Sequence, residues 1–466
     1  MRILIYGINF YPEAAGVGKY TGEMADWLAT GGHEVHVVTS PPHNPQWCVQ
    51  QGYRAWRYNR QTVHLSPRLA TKPCPPLSSG GTKMEIFRCP IWVPKSPNGL
   101  KRLLYLASFT LSSLPVVLRQ MRWRPDFVLL VEPTLFCAPQ ALLAARWSGA
   151  KTWLHIQDFE VDAAFELGDL ASSCGRDFAF ALERGVLRRF DRISAISEQM
   201  VRRLNLKGVD PSRCVHFPNW VDTSLIYPLP HPSKFRQELA IGENTVVALY
   251  SGSMGKKQGL DLLVDVARRL SHHSDLRFVF CGDGSYRQVL VEKLKALSNV
   301  SILPFQPSAR LNELLNLADI HLLPQRADAA DLVMPSKLTG MLASGRPVVA
   351  TAHNGTQLAK AVKGLGIVVA PGDPDSFVSA VLELIVNKDL RLKLGREARR
   401  YALTHLNSPV ILDRFEQAMV AACGVSGLQI NDEQAQAGTS GTLHCNLPTS
   451  IVESPSTVTE TRKPCA

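Results

Sequence analysis

Short apolar runs about the length of a β-strand recur along the chain. Each is followed by a loop and then by a segment with helical spacing of its apolar residues. The first run, RILIYG at 2–7, is apolar without alternation, the mark of a strand covered on both faces. A helix is predicted over 18–30, with Gly31-Gly32 as its stop, and EVHVVT at 34–39 is the next strand. A strand–helix–strand unit of this kind builds a parallel sheet. Further strands are predicted at 85–88, 127–131, 152–155, 192–195 and 214–217, with helices at 140–148 and 177–190 between them.

The proline-rich YPLPHPS at 227–233 reads as a linker, after which the alternation restarts. Strands are predicted at 245–251, 276–281, 300–303, 320–323, 347–350 and 366–369, with helices at 260–271, 285–297, 308–318, 337–344, 375–386 and 389–404. The fold class is therefore α/β: two Rossmann-like doubly wound domains facing a cleft. Residues 1–226 form the first domain, 234–404 the second, and 405–423 a C-terminal helix. Residues 62–84, which carry Pro67, Pro73, Pro75 and Pro76, read as a flexible insertion. The Ser/Thr/Gly-rich 424–466 reads as a disordered tail.

Length and composition fit this division. A chain of 466 residues exceeds one core, and 45% hydrophobic with 20% charged residues is globular. A formal charge of +11 suits phosphate-bearing ligands, nucleic acid or an anionic membrane. The ten cysteines form no CxxC pair and read as reduced thiols of a cytosolic chain. Because 1–6 is already a strand pattern, no secretory leader is expected, and no run is expected to reach the roughly 18 apolar residues of a spanning helix.

In doubly wound sheets, ligands bind beyond the carboxyl ends of the strands. The first such loop, INFYPEAAGVGK at 8–19, holds Gly16 and Gly18, but the spacing is not a dinucleotide fingerprint. The matching loop of the second domain holds Gly252, Lys256 and Lys257, a Gly-rich turn with cations beside it. It lacks the P-loop spacing. Gly282-Asp283-Gly284 is a tight turn and by itself only a weak phosphate signal. In MPSKLTGMLASGRPVVAT at 334–351, Pro335 and Ser336 open a helix whose first turn carries Lys337. A cation there opposes the helix dipole unless an anion sits on that end. HIQDFEVD at 155–162 places Asp158 and Glu160 at the cleft, where a carboxylate could orient an acceptor hydroxyl or take its proton. His155 reads better as a packing residue, and Asp373 as a helix N-cap. No metal cluster is evident. Residues 88–124 contain seven Lys or Arg and no acid, around an apolar helix at 103–118. Lys101, Arg102, Arg119, Arg122 and Arg124 flank that helix, as on a segment drawn to anionic lipid. Nucleic acid fits less well, since the aromatics here are not interleaved with the basic residues as a base-stacking platform would need.

Taken together, Tyr11-Pro12-Glu13…Gly16-Val17-Gly18…Gly31-Gly32-His33, Tyr250-Ser251-Gly252…Gln258-Gly259, Gly282-Asp283-Gly284 and Pro335-Ser336-Lys337…Gly345-Arg346-Pro347 resemble the retaining nucleotide-sugar glycosyltransferases of the GT-B fold, glycosyltransferase family four. The resemblance covers about residues 2–422. It implies a metal-independent transferase that moves a sugar, fucose from GDP-fucose, onto a lipid-diphosphate-linked oligosaccharide in exopolysaccharide assembly. It further implies retention of configuration and action at the inner face of the plasma membrane. Gly16 and Gly18 would line the donor diphosphate, with Lys256 or Lys257 and Lys337 neutralising it. The Gly282 turn and the Pro335 helix would hold the nucleoside, and Asp158 with Glu160 would face acceptor and sugar. One departure is Gly340, where many relatives carry a ribose-binding Glu. A UDP-sugar donor, a sugar-nucleotide epimerase of the same fold and a non-catalytic nucleotide-sugar-binding partner are the alternatives.

Overall fold

The computed structural model describes residues 1–13, 16–66, 82–95, 99–159, 173–255, 258–326 and 335–424. Residues 1–423 form one compact unit containing two sheets. The first sheet has eight strands: β1 (Arg2–Tyr6), β2 (Glu34–Thr39), β3 (Asn59–Leu65), β4 (Thr82–Arg88), β5 (Phe127–Glu132), β6 (Lys151–Ile156), β7 (Arg192–Ala195) and β8 (Cys214–His216). Their order is β3-β4-β2-β1-β5-β6-β7-β8. The second has β9 (Val246–Ser251), β10 (Leu276–Cys281), β11 (Val300–Leu303), β12 (Ile320–Leu323), β13 (Val348–Thr351) and β14 (Gly366–Val369), ordered β11-β10-β9-β12-β13-β14.

Every pairing is parallel except β3 with β4. The apolar runs explain this, because β1, β5 and β9 are buried on both faces and need helices above and below. Strand order reverses between β1 and β5 in the first sheet and between β9 and β12 in the second. Loops leaving strands at a reversal splay apart, and the crevice between them is the site of doubly wound sheets.

The insertion expected over 62–84 is corrected at both ends. Residues 59–65 form β3, which pairs antiparallel with β4 from Asn59↔Arg88 to Leu65↔Thr82. This strand escapes a search for buried runs because it lies at the sheet edge, where half-exposed alternation takes their place. Residues 67–81 and the predicted tail at 425–466 lie outside the described residues.

The helix Ser408–Ala422 belongs to the first lobe. Its Ile411, Leu412, Phe415 and Met419 join the core under β1, β2 and β5, and Phe415 stacks on Phe217 at 4.4 Å. The chain therefore crosses between lobes twice. The two crossings are hydrogen-bonded together, Val221 N to Leu406 O at 2.8 Å and Ser408 N to Val221 O at 3.0 Å. Arg399 clamps the outgoing segment, donating to the carbonyls of Thr223, Ile226 and Ala343 at 2.8–3.0 Å.

Candidate active site

The loop after β1 is organised by Glu13, whose carboxylate is buried and accepts from Asn9 Nδ2 and from the backbone N–H groups of His43 and Asn44, each at 3.0 Å. Burial raises its pKa while these donors and Arg88 oppose the rise. Gly18 is required beside it, because a Cβ there would lie 2.4 Å from Glu13 Oε2. Gly16 differs: its φ is +63° and nothing lies within 4 Å of where a Cβ would stand, so it faces open space at the start of α1 (Gly16–Thr30). Tyr20, further along α1, is buried against Trp220, and its hydroxyl lies 3.5 Å from Ser336 O. This contact brings the first loop opposite Pro335–Lys337 of the second lobe. Of the residues that the sequence places in the donor site, Gly16, Gly18, Pro335, Ser336 and Lys337 thus converge.

Lys337 opens the helix Lys337–Ala343. Its Nζ is buried without a hydrogen-bond partner among the described residues, 4.2 Å from the ring centroid of Tyr250. It lies against Gly252, where an added Cβ would meet Lys337 Cδ at 3.3 Å. Burial pulls its pKa down to about 7. The helix has only seven residues, so the dipole expected to matter at its start is weaker than the desolvation of the amine. Gly340 has an ideal Cβ position 3.2 Å from Leu315 Cδ1, so a side chain there starts out against the second-lobe core. Lys256, Lys257 and Glu160 lie outside the described residues.

Gly282 and Gly284 serve a close approach of two backbones. The loop after β9 folds over that turn, with Gly252 N donating to Cys281 O at 2.9 Å and Met254 N to Asp283 O at 2.7 Å. A Cβ on Gly282 would fall 1.9 Å from Gly252 O, and one on Gly284 2.5 Å from Met254 O. Gly282→Ala should therefore cost about 3 kcal/mol or more of stability and displace Gly252 from Lys337, read by denaturant unfolding.

At the end of β6, His155 sits in a buried polar chain. Ser194 Oγ accepts from Trp153 Nε1 at 2.8 Å and lies 2.9 Å from His155 Nδ1. Gln157 Nε2 bridges His155 Nε2 at 2.9 Å and Asn219 Oδ1 at 3.1 Å. One assignment satisfies all four contacts: Nδ1 carries the proton to Ser194 and bare Nε2 accepts from Gln157. Burial lowers the His155 pKa to about 3, so the ring is neutral and holds Gln157 in place, in keeping with a packing role. Half-buried Asp158 follows directly, at the carboxyl edge of the sheet. Asp373 caps the helix Pro374–Val386, accepting from Ser376 N at 3.0 Å.

The predicted membrane-facing basic residues are separated along one long helix, α2 (Gly99–Trp123). Lys101 and Arg102 lie in its first turn. Arg119 and Arg122 lie about 27 Å away by helical rise, with Arg124 just past the end. Leu100, Leu104, Leu111 and Leu118 form an exposed stripe between them, while Tyr105, Leu106, Phe109, Val117 and Met121 are buried in the core. Contrary to expectation, α2 is long and apolar enough to cross a membrane by length and composition; its buried face places it as a lobe helix. Phe136, Leu143 and Trp147, in and near the adjoining α3 (Ala138–Ser148), are also exposed.

Residues 15–220 match the glycosyl transferase 4-like domain, and residues 233–401 match glycosyl transferases group 1. The chain is 39% identical over 426 residues to the putative colanic acid biosynthesis glycosyl transferase WcaI of Escherichia coli (strain K12), covering 89% of this chain and 98% of that one. Among solved structures, sucrose-phosphate synthase of Thermosynechococcus elongatus superposes with a TM-score of 0.69 at 15% identity over 91% of this chain and 100% of that one. Anabaena HepE in complex with UDP and glucose gives 0.62 at 15% identity, over 90% and 100%. The two-sheet fold with its paired crevice loops, the two domain matches and the nearly full-length similarity to WcaI together make this chain a member of glycosyltransferase family four, a nucleotide-sugar-dependent transferase of the GT-B fold.

Proposed function

We propose that the chain transfers fucose from GDP-fucose, with retention, onto a lipid-diphosphate-linked oligosaccharide in colanic-acid-like exopolysaccharide assembly, working at the cytoplasmic surface of an anionic membrane. The observation that carries this reading is Lys337: a buried amine without a partner among the described residues is costly unless an anion completes the site. A departing nucleoside diphosphate supplies that anion. Lys337 and the N–H groups near Gly16 and Gly252 stabilise the charge as it develops, so the diphosphate has cationic and dipolar partners without a metal. Asp158, with Glu160 following it, orients the acceptor hydroxyl, and lobe closure brings donor and acceptor together. The name of the E. coli relative supports the pathway. The leucine stripe of α2, with basic residues at both ends, supports the membrane surface.

HepE complexes that contain UDP and UDP-glucose favour a second reading, a UDP-sugar donor. A thermal-shift screen with GDP, UDP, ADP and their sugars separates the two, because only a ligand bound by the fold raises stability. GDP and GDP-fucose are expected to give the largest shifts, and label from GDP-fucose should appear in lipid-linked glycan. Binding without transfer would favour a non-catalytic partner, and conversion of the free nucleotide sugar an epimerase. In co-sedimentation, the protein should bind vesicles containing phosphatidylglycerol at low salt and leave them as salt rises. Equal binding to neutral phosphatidylcholine vesicles would count against the electrostatic part.

A further inference from the structure

Between Glu34 and Asp126 the sequence holds thirteen Lys or Arg and a single acid, Glu85. That acid is already engaged by Arg60 and Lys83. The remaining positive charge has a focus. A cavity of about 180 Å³ opens at the carboxyl edge of the first sheet, lined by Tyr53, Arg54, Arg57, Tyr58 and Arg88 among others. It is smaller than the roughly 300–1,000 Å³ of a pocket for a whole drug-sized ligand, and so suits a compact charged group.

Arg88 forms its buried floor, stacked 4.8 Å from the Tyr53 ring centroid. Three of its N–H groups are taken by neutral oxygens of Gln61, Ser40 and Tyr11, and among the described residues no carboxylate pairs with it. Arg54 and Arg57 at the rim are exposed and have no ion-pair partner among the described residues either. Three guanidinium groups around one small cavity make a site for an anion with several oxygens, because the planar fork matches phosphoryl geometry.

The loop that carries the rim is held in place. Buried Glu13 accepts from His43 N and Asn44 N, His43 Nε2 lies 2.8 Å from Tyr105 Oη, and Ile91 N donates to Ala55 O at 2.8 Å. The lining residues of the cavity have two neighbours of different character. On one side, Arg88 Nη2 donates to Tyr11 O at 2.6 Å, in the same loop as Gly16 and Gly18. On the other, Tyr58 donates to Ser112 O on α2 at 2.7 Å, beside exposed Trp56 and the stripe at Leu111.

We propose that this cavity binds the diphosphate of the lipid-linked acceptor, with the glycan directed toward the cleft and the lipid along α2. The inference rests on the lipid-linked acceptor proposed above. It assigns a second phosphate site, distinct from Lys337.

The test uses full-length protein with the donor site filled by saturating GDP. Inorganic pyrophosphate, titrated by calorimetry, should bind the wild type and bind Arg54→Gln/Arg57→Gln at least about tenfold more weakly. Both side chains are exposed, so the variant should fold, and its GDP affinity should match the wild type. In transfer assays the double variant should raise KM for lipid-diphosphate-linked glycan at least about tenfold with kcat retained. Glycan released from the lipid by mild acid should serve both proteins equally. Arg54→Lys/Arg57→Lys should fall between, keeping charge and losing the fork. Unchanged pyrophosphate affinity, or unchanged KM in the glutamine variant, would overturn the cavity and leave the lipid-linked acceptor standing. Wild-type protein that uses no lipid-linked glycan, yet loses pyrophosphate binding in the variant, would overturn the acceptor instead. If the variant loses phosphatidylglycerol vesicle binding and pyrophosphate does not compete, the cavity holds membrane headgroups and the proposal falls.

Discussion

Lys337→Met should lower transfer by about 10²- to 10³-fold while making the ligand-free protein more stable. The two effects share one cause. Nζ is buried over Tyr250 without a hydrogen-bond partner among the described residues, and its side chain lies against Gly252 in the loop after β9. Without an anion it is a destabilising charge, so a methionine of similar shape should raise the melting temperature by a few degrees. If a diphosphate completes the site as proposed, the amine faces its developing charge, and removing it is felt in the transition state. The pH dependence follows with a definite sign. Below pH about 7 the amine is protonated in both the folded and unfolded chain, and its full cost stands. Between about 7 and the ordinary lysine value of 10.5, the unfolded chain keeps a proton that the fold has released. Stability from this group therefore rises with pH across that window and levels off above it. A bound diphosphate restores the proton, so GDP affinity should fall above pH 7, approaching about tenfold per unit. Differential scanning calorimetry and GDP titration from pH 6 to 9 read both trends. The idea fails if Lys337→Met leaves transfer unchanged, or if the variant keeps the same pH slope.

Glu13→Ala should be the most destabilising substitution in the first lobe, at about 3–5 kcal/mol. It leaves Asn9 Nδ2 and the N–H groups of His43 and Asn44 without this acceptor, and it removes a negative charge that favours the charged form of buried Arg88. Glu13→Gln separates the terms: the amide oxygen can still accept, but its NH₂ confronts a donor and the charge is gone. An intermediate loss is expected for Gln. Proteolysis should show cleavage within 41–58 in the alanine variant before global unfolding, since these bonds hold that loop. Equal stability of both variants and wild type would show that the network carries no net energy.

Most of the parallel strands are readable in the sequence because they bury both faces and leave apolar runs, whereas their order in each sheet, and so the reversals, is visible only in the fold. Lys337 is readable at the crevice too, although the reason changes from a helix dipole to a sealed amine, since nothing local reveals that Tyr250 covers Nζ. Glu13 stands in a recognised motif without a role of its own, because its three donors come from residues 9, 43 and 44 and only the fold brings them together. Arg54 and Arg57 give no local signal for a similar reason: their partner Arg88 arrives on a strand 31 residues beyond Arg57, across the insertion. Strand β3 is hidden by its place at the sheet edge, where half-exposed alternation replaces a buried run.

The helix Ser408–Ala422 imposes an order on biosynthesis. A ribosome completes every described strand of the first sheet by residue 216, but Phe217 and Trp153 wait for Phe415 to cover them. At about 5–20 residues per second, the nascent first lobe spends roughly 10–40 s with that apolar face open while the second lobe is made. The interval is one in which a holdase chaperone has a surface to grip. An isolated first lobe, lacking the returning helix, remains at that stage permanently.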